Sequence, residues 1–279
     1  MTGPEETDSL IARIAMADRV AFETVFHQAS GTFLAIAQRI TGDLVEAEEI
    51  LEQLYVDLWD QADHFRDGPL PAIDELALTI RDRAITRKRS RANRPPELRT
   101  SDLLSQPGHH TVDEAATLAG CLETLPKARA TLMRRIILDG ESYDDLAQAA
   151  DVDVETVRAS VQGAIVALRA CMISGSDFSV EDTISAAEAA LGVGGHEENG
   201  QPADISDVLA FWQSQIAHLM LSETDPIPVP EQVLRRITSR VVPPDQETIW
   251  AQIWPYAVAG ALAAGVLWLA MRAGILLPL

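Results

Sequence analysis

Cysteine is almost missing from this chain of 279 residues. Cys121 and Cys171 stand fifty residues apart, with no second cysteine near either. That spacing argues against a disulfide framework and a cysteine-rich zinc site, and it fits a reducing compartment. Basic residues are scarce as well. Twenty-two Lys and Arg face forty-two Asp and Glu, a formal net charge of −20. A chain of that sign does not coat nucleic acid through its overall field, so any such contact must come from a local basic patch. No glycine-rich phosphate loop, metal-ligand triad or nucleophile elbow is present, so neither catalysis nor a metal or other cofactor is expected. The acidic, polar residues 1–9 carry no basic or apolar region of a signal peptide, and none is expected. What the chain does have is apolar material, 47% of its residues. That is enough for buried cores, and the length suggests about two or three domains.

The periodicity is helical, and no convincing run of strands is present. From Asp18 to Ile40, one stripe collects Phe22, Val25, Phe26, Ala29, Phe33, Ile36 and Ile40. Gly42 stops that helix. Asp43 caps the next, with Glu46 at the capping-box position. There Leu44, Ala47, Leu51, Leu54 and Leu58 face inward. A third long helix is expected from about Ile73 to Arg91. Pro95, Pro96, Pro107 and Gly108 mark a linker over 93–112, and a second follows at 173–179. Beyond it, helices are expected at Val180–Leu191, Ile205–Leu221 and Pro230–Val241, with the loop GVGGHEENGQP between the first two.

Two segments have the makings of a nucleic-acid surface. Between Arg81 and Arg99 lie eight bases against only Asp82 and Glu97, a net +6. Charge gathered on one helix end is an electrostatic footprint for phosphate. The second segment, ESYDDLAQAADVDVETVRASVQGAIVALRACM, has a helix-turn-helix layout. Ser142 and Asp145 form a capping box, Leu146 and Ala147 pack inward, and a turn falls near Ala150–Val152. A second helix then buries Val154, Val157, Val161, Ile165 and Leu168. The C-terminal third differs again. Residues 174–254 hold thirteen acids and three bases, and the nearly uncharged stretch from 251 to 277 has the length and hydropathy of a membrane span. Arg235, Arg236 and Arg240 precede it, which implies a single-pass inner (cytoplasmic) membrane protein with its bulk in the cytoplasm.

Together these segments resemble the extracytoplasmic-function (ECF) sigma factors. AFETVFHQASGTFLAIAQRITGDLVEAEEILEQLYVDLWDQADHF and LALTIRDRAITRKRSR are similar to the family's region 2. CLETLPKAR and ESYDDLAQAADVDVETVRASV are similar to its region 4. The resemblance implies an all-α chain, with region 2 at 8–92 and region 4 at 113–172, whose partners are core RNA polymerase and promoter DNA. The helix Asp43–Asp60 would dock on the polymerase clamp through Val45, Glu48, Glu49, Glu52, Val56 and Trp59. Arg81, Arg83, Arg87, Lys88, Arg89 and Arg91 would meet backbone phosphates at the minus-ten element, where Phe65 lies in the loop that captures a flipped base. Thr156, Arg158, Ser160, Gln162 and Arg169 would read the minus-thirty-five element. ISAAEAALG, the helix with Trp212 and VPEQVLRRI resemble the zinc-free anti-sigma factors. A fused anti-sigma-like segment is therefore expected at 180–242, folded on the sigma domains in cis.

This chain departs from the family pattern in several places. Leu76 stands where the family places an aromatic residue, and Asp82 where it places an amide. Asp151, Asp153 and Glu155 put acids around the recognition helix. Those acids motivate a competing expectation: a sigma-like decoy or anti-sigma regulator that binds regulatory proteins without recognising promoters.

Overall fold

A computed structural model describes residues 4–92, 117–172, 179–193 and 206–241. Twelve helices and no strand occur among the described residues, as the helical periodicity requires. The linker at 93–112 and residues 113–116 and 173–178 lie outside them. The expected transmembrane helix is corrected. No helix among the described residues is long and apolar enough to cross a membrane, and the stretch 251–277 that carried the expectation lies outside them. The inner-membrane localisation is withdrawn with it.

Five helices form an N-terminal bundle: α1 (Pro4–Ile14), α2 (Arg19–Thr41), α3 (Leu44–Asp60), α4 (Ala62–Arg66) and α5 (Ala72–Ala92). The α2–α3 hairpin is punctuated as its residues dictate. Asp18 Oδ1 accepts from the Val20 and Ala21 N–H groups to start α2. Gly42, left-handed at φ 69°, ends it, a conformation that carries no Cβ penalty in glycine. Asp43 Oδ1 accepts from Val45 and Glu46 N–H. The expected stripe of α2 is buried throughout, and Phe22 packs edge-on against Tyr55 and Trp59. Leu44 is the exception on α3: it sits in the first turn, beyond the hairpin's core, and is exposed.

A middle group consists of α6 (Leu118–Thr124), α7 (Lys127–Asp139), α8 (Tyr143–Ala150) and α9 (Val154–Met172). Both arms of the Ser142–Asp145 capping box are made. The turn that follows α8 is carried by Asp151 in the left-handed region, φ 53°. Cys121 on α6 and Cys171 on α9 form a disulfide, S–S 2.02 Å, against the expectation from their spacing, which argued against a disulfide framework. Fifty residues of chain fold back so that α6 packs on α9 and the two Cα atoms come within 5.8 Å, a proximity that spacing along the sequence does not reveal.

The middle group packs directly on the bundle. Gly140, left-handed at φ 61°, ends α7 so close to α5 that a Cβ there would stand 2.6 Å from Ile85 Cγ1. The helices α10 (Val180–Leu191) and α11 (Ser206–Glu223) pair with each other and lie across both groups, α11 on α5, α6 and α7, and α10 on α9. After α11 the chain runs extended along α2. There Ile227 N–H donates to Gly31 O, 3.1 Å, and a Cβ on Gly31 would meet Ile227 O at 2.9 Å. Residues 1–234 form one compact unit and residues 235–279 a second. The last helix, α12 (Glu231–Val241), crosses that boundary.

Candidate nucleic-acid interface

The basic end of α5 has two sides. Arg83, Arg87 and Arg91 recur every fourth residue and so share one face. That face meets α3. Arg83 pairs with Asp57, Arg87 with Glu49 (3.0 Å), and Arg91 with Asp43 (3.1 Å) and Glu46 (3.5 Å). Glu46 is thus spent on Arg91 rather than on closing the capping box expected at Asp43. This face is charge-satisfied: three guanidinium groups meet four carboxylates.

Arg81, Lys88 and Arg89 point the other way, and their partners are carbonyl oxygens at helix ends. Arg81 is completely buried. It donates through Nε to Ile137 O (3.1 Å) and through Nη2 to Ile136 O (3.4 Å) and Leu191 O (2.8 Å), and its Nη1 pairs with Asp82 (3.2 Å). Lys88 Nζ donates to Asp139 O, 2.9 Å, and Arg89 Nη2 to Gly192 O, 3.0 Å. The last four carbonyls of a helix have no partner within it and carry the negative end of its dipole. Here α7 and α10 both aim such ends at α5. Burial pulls the Arg81 guanidinium below its ordinary value, and Asp82 opposes that shift. The group stays charged, because its donors are met by carbonyls. Nearby, burial pushes the Asp145 carboxyl up, but the Ser142 hydrogen bonds and the charges of Lys88 and Arg89 hold it below its usual value.

On the helix-turn-helix, Asp153 caps α9 by accepting from Thr156 N–H (2.8 Å) and the Thr156 hydroxyl (2.7 Å). The Arg158 guanidinium lies 5.5 Å from the centre of the Tyr143 ring and near Glu155. Ser160 and Arg169 are half-buried. Gln162 Nε2 donates to Glu188 Oε1, 3.2 Å, and the Tyr143 hydroxyl donates to the same oxygen, 3.0 Å. Glu188 belongs to α10. An acid of the C-terminal segment therefore sits against the helix expected to read bases. Burial, reinforced by Glu188, raises the Tyr143 phenol.

On α3, Val45 and Glu49 are exposed, Glu48, Val56 and Trp59 are half-buried, and Glu52 is buried. Phe65 is buried in the bundle rather than displayed on a loop. It falls within α4, whose one turn folds its ring inward against that of His64. As folded here, neither Phe65 nor Arg81 is open to a nucleic acid, because the core and the helix ends already hold them. Among the described residues, no group of His, Cys, Asp and Glu is arranged to hold a metal ion.

Sequence reasoning missed the residues that join the C-terminal helices to the rest. Asp74 is fully buried in α5 and accepts from the Ser214 hydroxyl (3.0 Å), with His218 Nε2 at 3.4 Å, both from α11. Its second oxygen has no hydrogen-bond partner. Burial pushes its carboxyl up; His218 and Ser214 oppose this, and Asp8 of α1 adds to it. Arg134 of α7 bridges Glu123 (2.7 Å) and Glu223 (3.2 Å). Gln215 Oε1 accepts from Leu118 N–H at the start of α6, 3.1 Å. The one sequence signal was Gly31, a glycine inside a helical pattern, which marks close backbone approach.

No protein-family model matches the chain. Curated relatives do. The chain is 25% identical over 175 residues to the ECF RNA polymerase sigma factor SigK of Mycolicibacterium vanbaalenii, covering 60% of this chain and 89% of that protein. It is 23% identical over 184 residues to SigK of Mycobacterium tuberculosis, 62% of this chain and 98% of the relative. To SigK of Mycobacterium ulcerans it is 22% identical over 184 residues. The chain is thus similar to ECF sigma factors along nearly their whole length, and more than a third of it has no counterpart in them. The relatives are RNA polymerase sigma factors by name.

Proposed function

We propose that this chain is an ECF-type RNA polymerase sigma factor carrying its own brake. Residues 8–92 act as region 2, residues 113–172 as region 4, and the C-terminal helices α10 and α11 as an anti-sigma-like segment docked in cis. Its partners are core RNA polymerase and promoter DNA. The similarity to the sigma factors supports the first part. One observation carries the second: the C-terminal segment holds the very groups that would face DNA. Leu191 and Gly192 carbonyls take Arg81 and Arg89, and Glu188 takes Gln162.

Geometry supports the same reading. The minus-ten and minus-thirty-five elements lie about 25 base pairs apart, roughly 85 Å along B-DNA. A compact unit of this length has a radius of gyration of about 17 Å, so α5 and α9 cannot reach both elements until the two groups separate. A linked segment closes on its site at a high effective concentration, which is lost when the link is cut.

The test is a full-length chain with a protease site placed in 173–178, mixed cut or uncut with core polymerase and promoter fragments. Cutting followed by dilution should raise run-off transcription by about ten-fold or more, the scale of a lost linkage. Equal transcription from both forms would remove the brake from the proposal. A second reading, the sigma-like decoy, is favoured by Asp153 and Glu155 on the first turn of α9. Polymerase binding without transcripts from the cut form would select it.

A further inference from the structure

The six cations of α5 divide by partner, and the division has a chemical consequence. We propose that the phosphate-binding surface is the carbonyl-paired side, Arg81, Lys88 and Arg89, and that the C-terminus of α10 competes with the DNA backbone for it. DNA would then itself release the segment, with no separate opening signal. The proposal rests on the reading of the chain as a DNA-binding initiation factor and deepens it.

The two sides would gain differently from a phosphate. On the α3 side, every guanidinium already faces a full negative charge from Asp43, Glu46, Glu49 or Asp57. A phosphate would have to displace a tethered carboxylate, a like-for-like exchange that leaves the carboxylate repelling the strand. On the other side, the partners are carbonyls carrying about half a charge per helix end. Among the described residues, Asp82 and Asp145 oppose the three cations there. Exchanging a carbonyl for a phosphate oxygen gains charge and forms the stronger, charge-assisted hydrogen bond. Arg89 is exposed and Lys88 half-buried, so both are reachable before anything moves. Arg81 is held by the Ile136 and Ile137 carbonyls of α7 as well as by Leu191, so it joins the surface only when α7 and α10 both move away from it.

Because one set of donors serves both acceptors, binding of DNA and docking of α10 are linked reciprocally. Each phosphate contact also releases counterions, so the balance shifts with salt: low salt favours DNA, high salt the closed form.

The experiment uses the full-length chain alone, with a 30-base-pair duplex of arbitrary sequence as the probe. Hydrogen exchange of the α10 amides and binding anisotropy are read together. Saturating DNA should speed exchange over Val180–Leu191 by about ten-fold or more at low salt, and the effect should fade as salt rises. Arg89→Gln should weaken DNA binding by about five-fold or more, while Arg87→Gln, which removes the same charge from the carboxylate-paired side, should change it by less than about two-fold. Equal losses from the two variants would overturn the proposal, since the attraction would then be the general field of the helix. DNA binding with α10 protection unchanged, or no DNA binding at low salt, would also overturn it. No polymerase is present, so failure of the transcription test leaves this result standing, and the reverse holds too.

Discussion

The two sides of α5 carry the same number of cations and behave as opposites. One side is a ladder of ion pairs to α3, partly exposed, between residues of a single helical bundle. The other is a receptor for the ends of helices that arrive from elsewhere in the chain, and its centre, Arg81, is completely buried. Exposed ion pairs contribute little, because water screens them and ordering the side chains costs entropy. A buried cation with a partner at every nitrogen contributes through what its removal would leave behind: orphaned carbonyls. The difference shows that a basic patch on a sequence is not one thing. Partner chemistry decides which of its members are structural, which are neutralised and which remain free to exchange.

The sharpest way to break this comparison is Arg81→Met. It strands the Ile136, Ile137 and Leu191 carbonyls together and should cost about 3–5 kcal/mol, since each buried polar group left unsatisfied costs about 1–3 kcal/mol. Urea unfolding monitored by circular dichroism would check it. A cost below about 1 kcal/mol would make Arg81 equivalent to its exposed neighbours. Next comes Gly140→Val, which places a branched side chain at a left-handed position and against Ile85. It should cost about 2–3 kcal/mol by overpacking and backbone strain, read as a lower urea midpoint.

Asp74 offers a test by pH. Its carboxyl is raised in the folded chain, so folding prefers the protonated form. That penalty is full above the folded value and vanishes below the unfolded one. On this account the wild type gains stability relative to Asp74→Asn as the pH falls through the acid range, and stability curves of the two proteins should converge at low pH. Curves that stay parallel would show that the Ser214 and His218 contacts offset the burial. The smallest effect belongs to the ladder. Glu49→Gln should shift stability by only about 0.3 kcal/mol, and 0.5 M salt should erase the difference.

The helices themselves were legible in the sequence. The α2 stripe, Gly42, Asp43 and the Ser142–Asp145 box state their positions through local rules, because capping and periodicity involve residues within four of one another. The helix-turn-helix was legible for the same reason, down to the turn at Asp151. The candidate site was legible only as a list. The cations of α5 can be counted, but a charge count groups Arg81 with Arg83 although two residues' separation turns them to opposite sides of the helix. Phe65 reads as a loop residue in the sequence because a single turn such as α4 carries no periodic signal. The pairing of Cys121 with Cys171 was hidden because fifty intervening residues say nothing about distance in space.

Composition and periodicity by themselves determined that the chain is helical, where most of its helices start and stop, and that its positive charge is gathered on one of them. These are properties of neighbours along the chain, set by backbone hydrogen bonding, capping and the 3.6-residue turn. Only the tertiary structure decided which of those charges face water, which face carboxylates and which hold the ends of α7 and α10. It also decided that Glu188 lies on the helix-turn-helix and that Asp74 is buried under α11. Those outcomes depend on contacts between residues up to 144 positions apart, where burial and partner geometry, rather than residue type, set the energy of a charge.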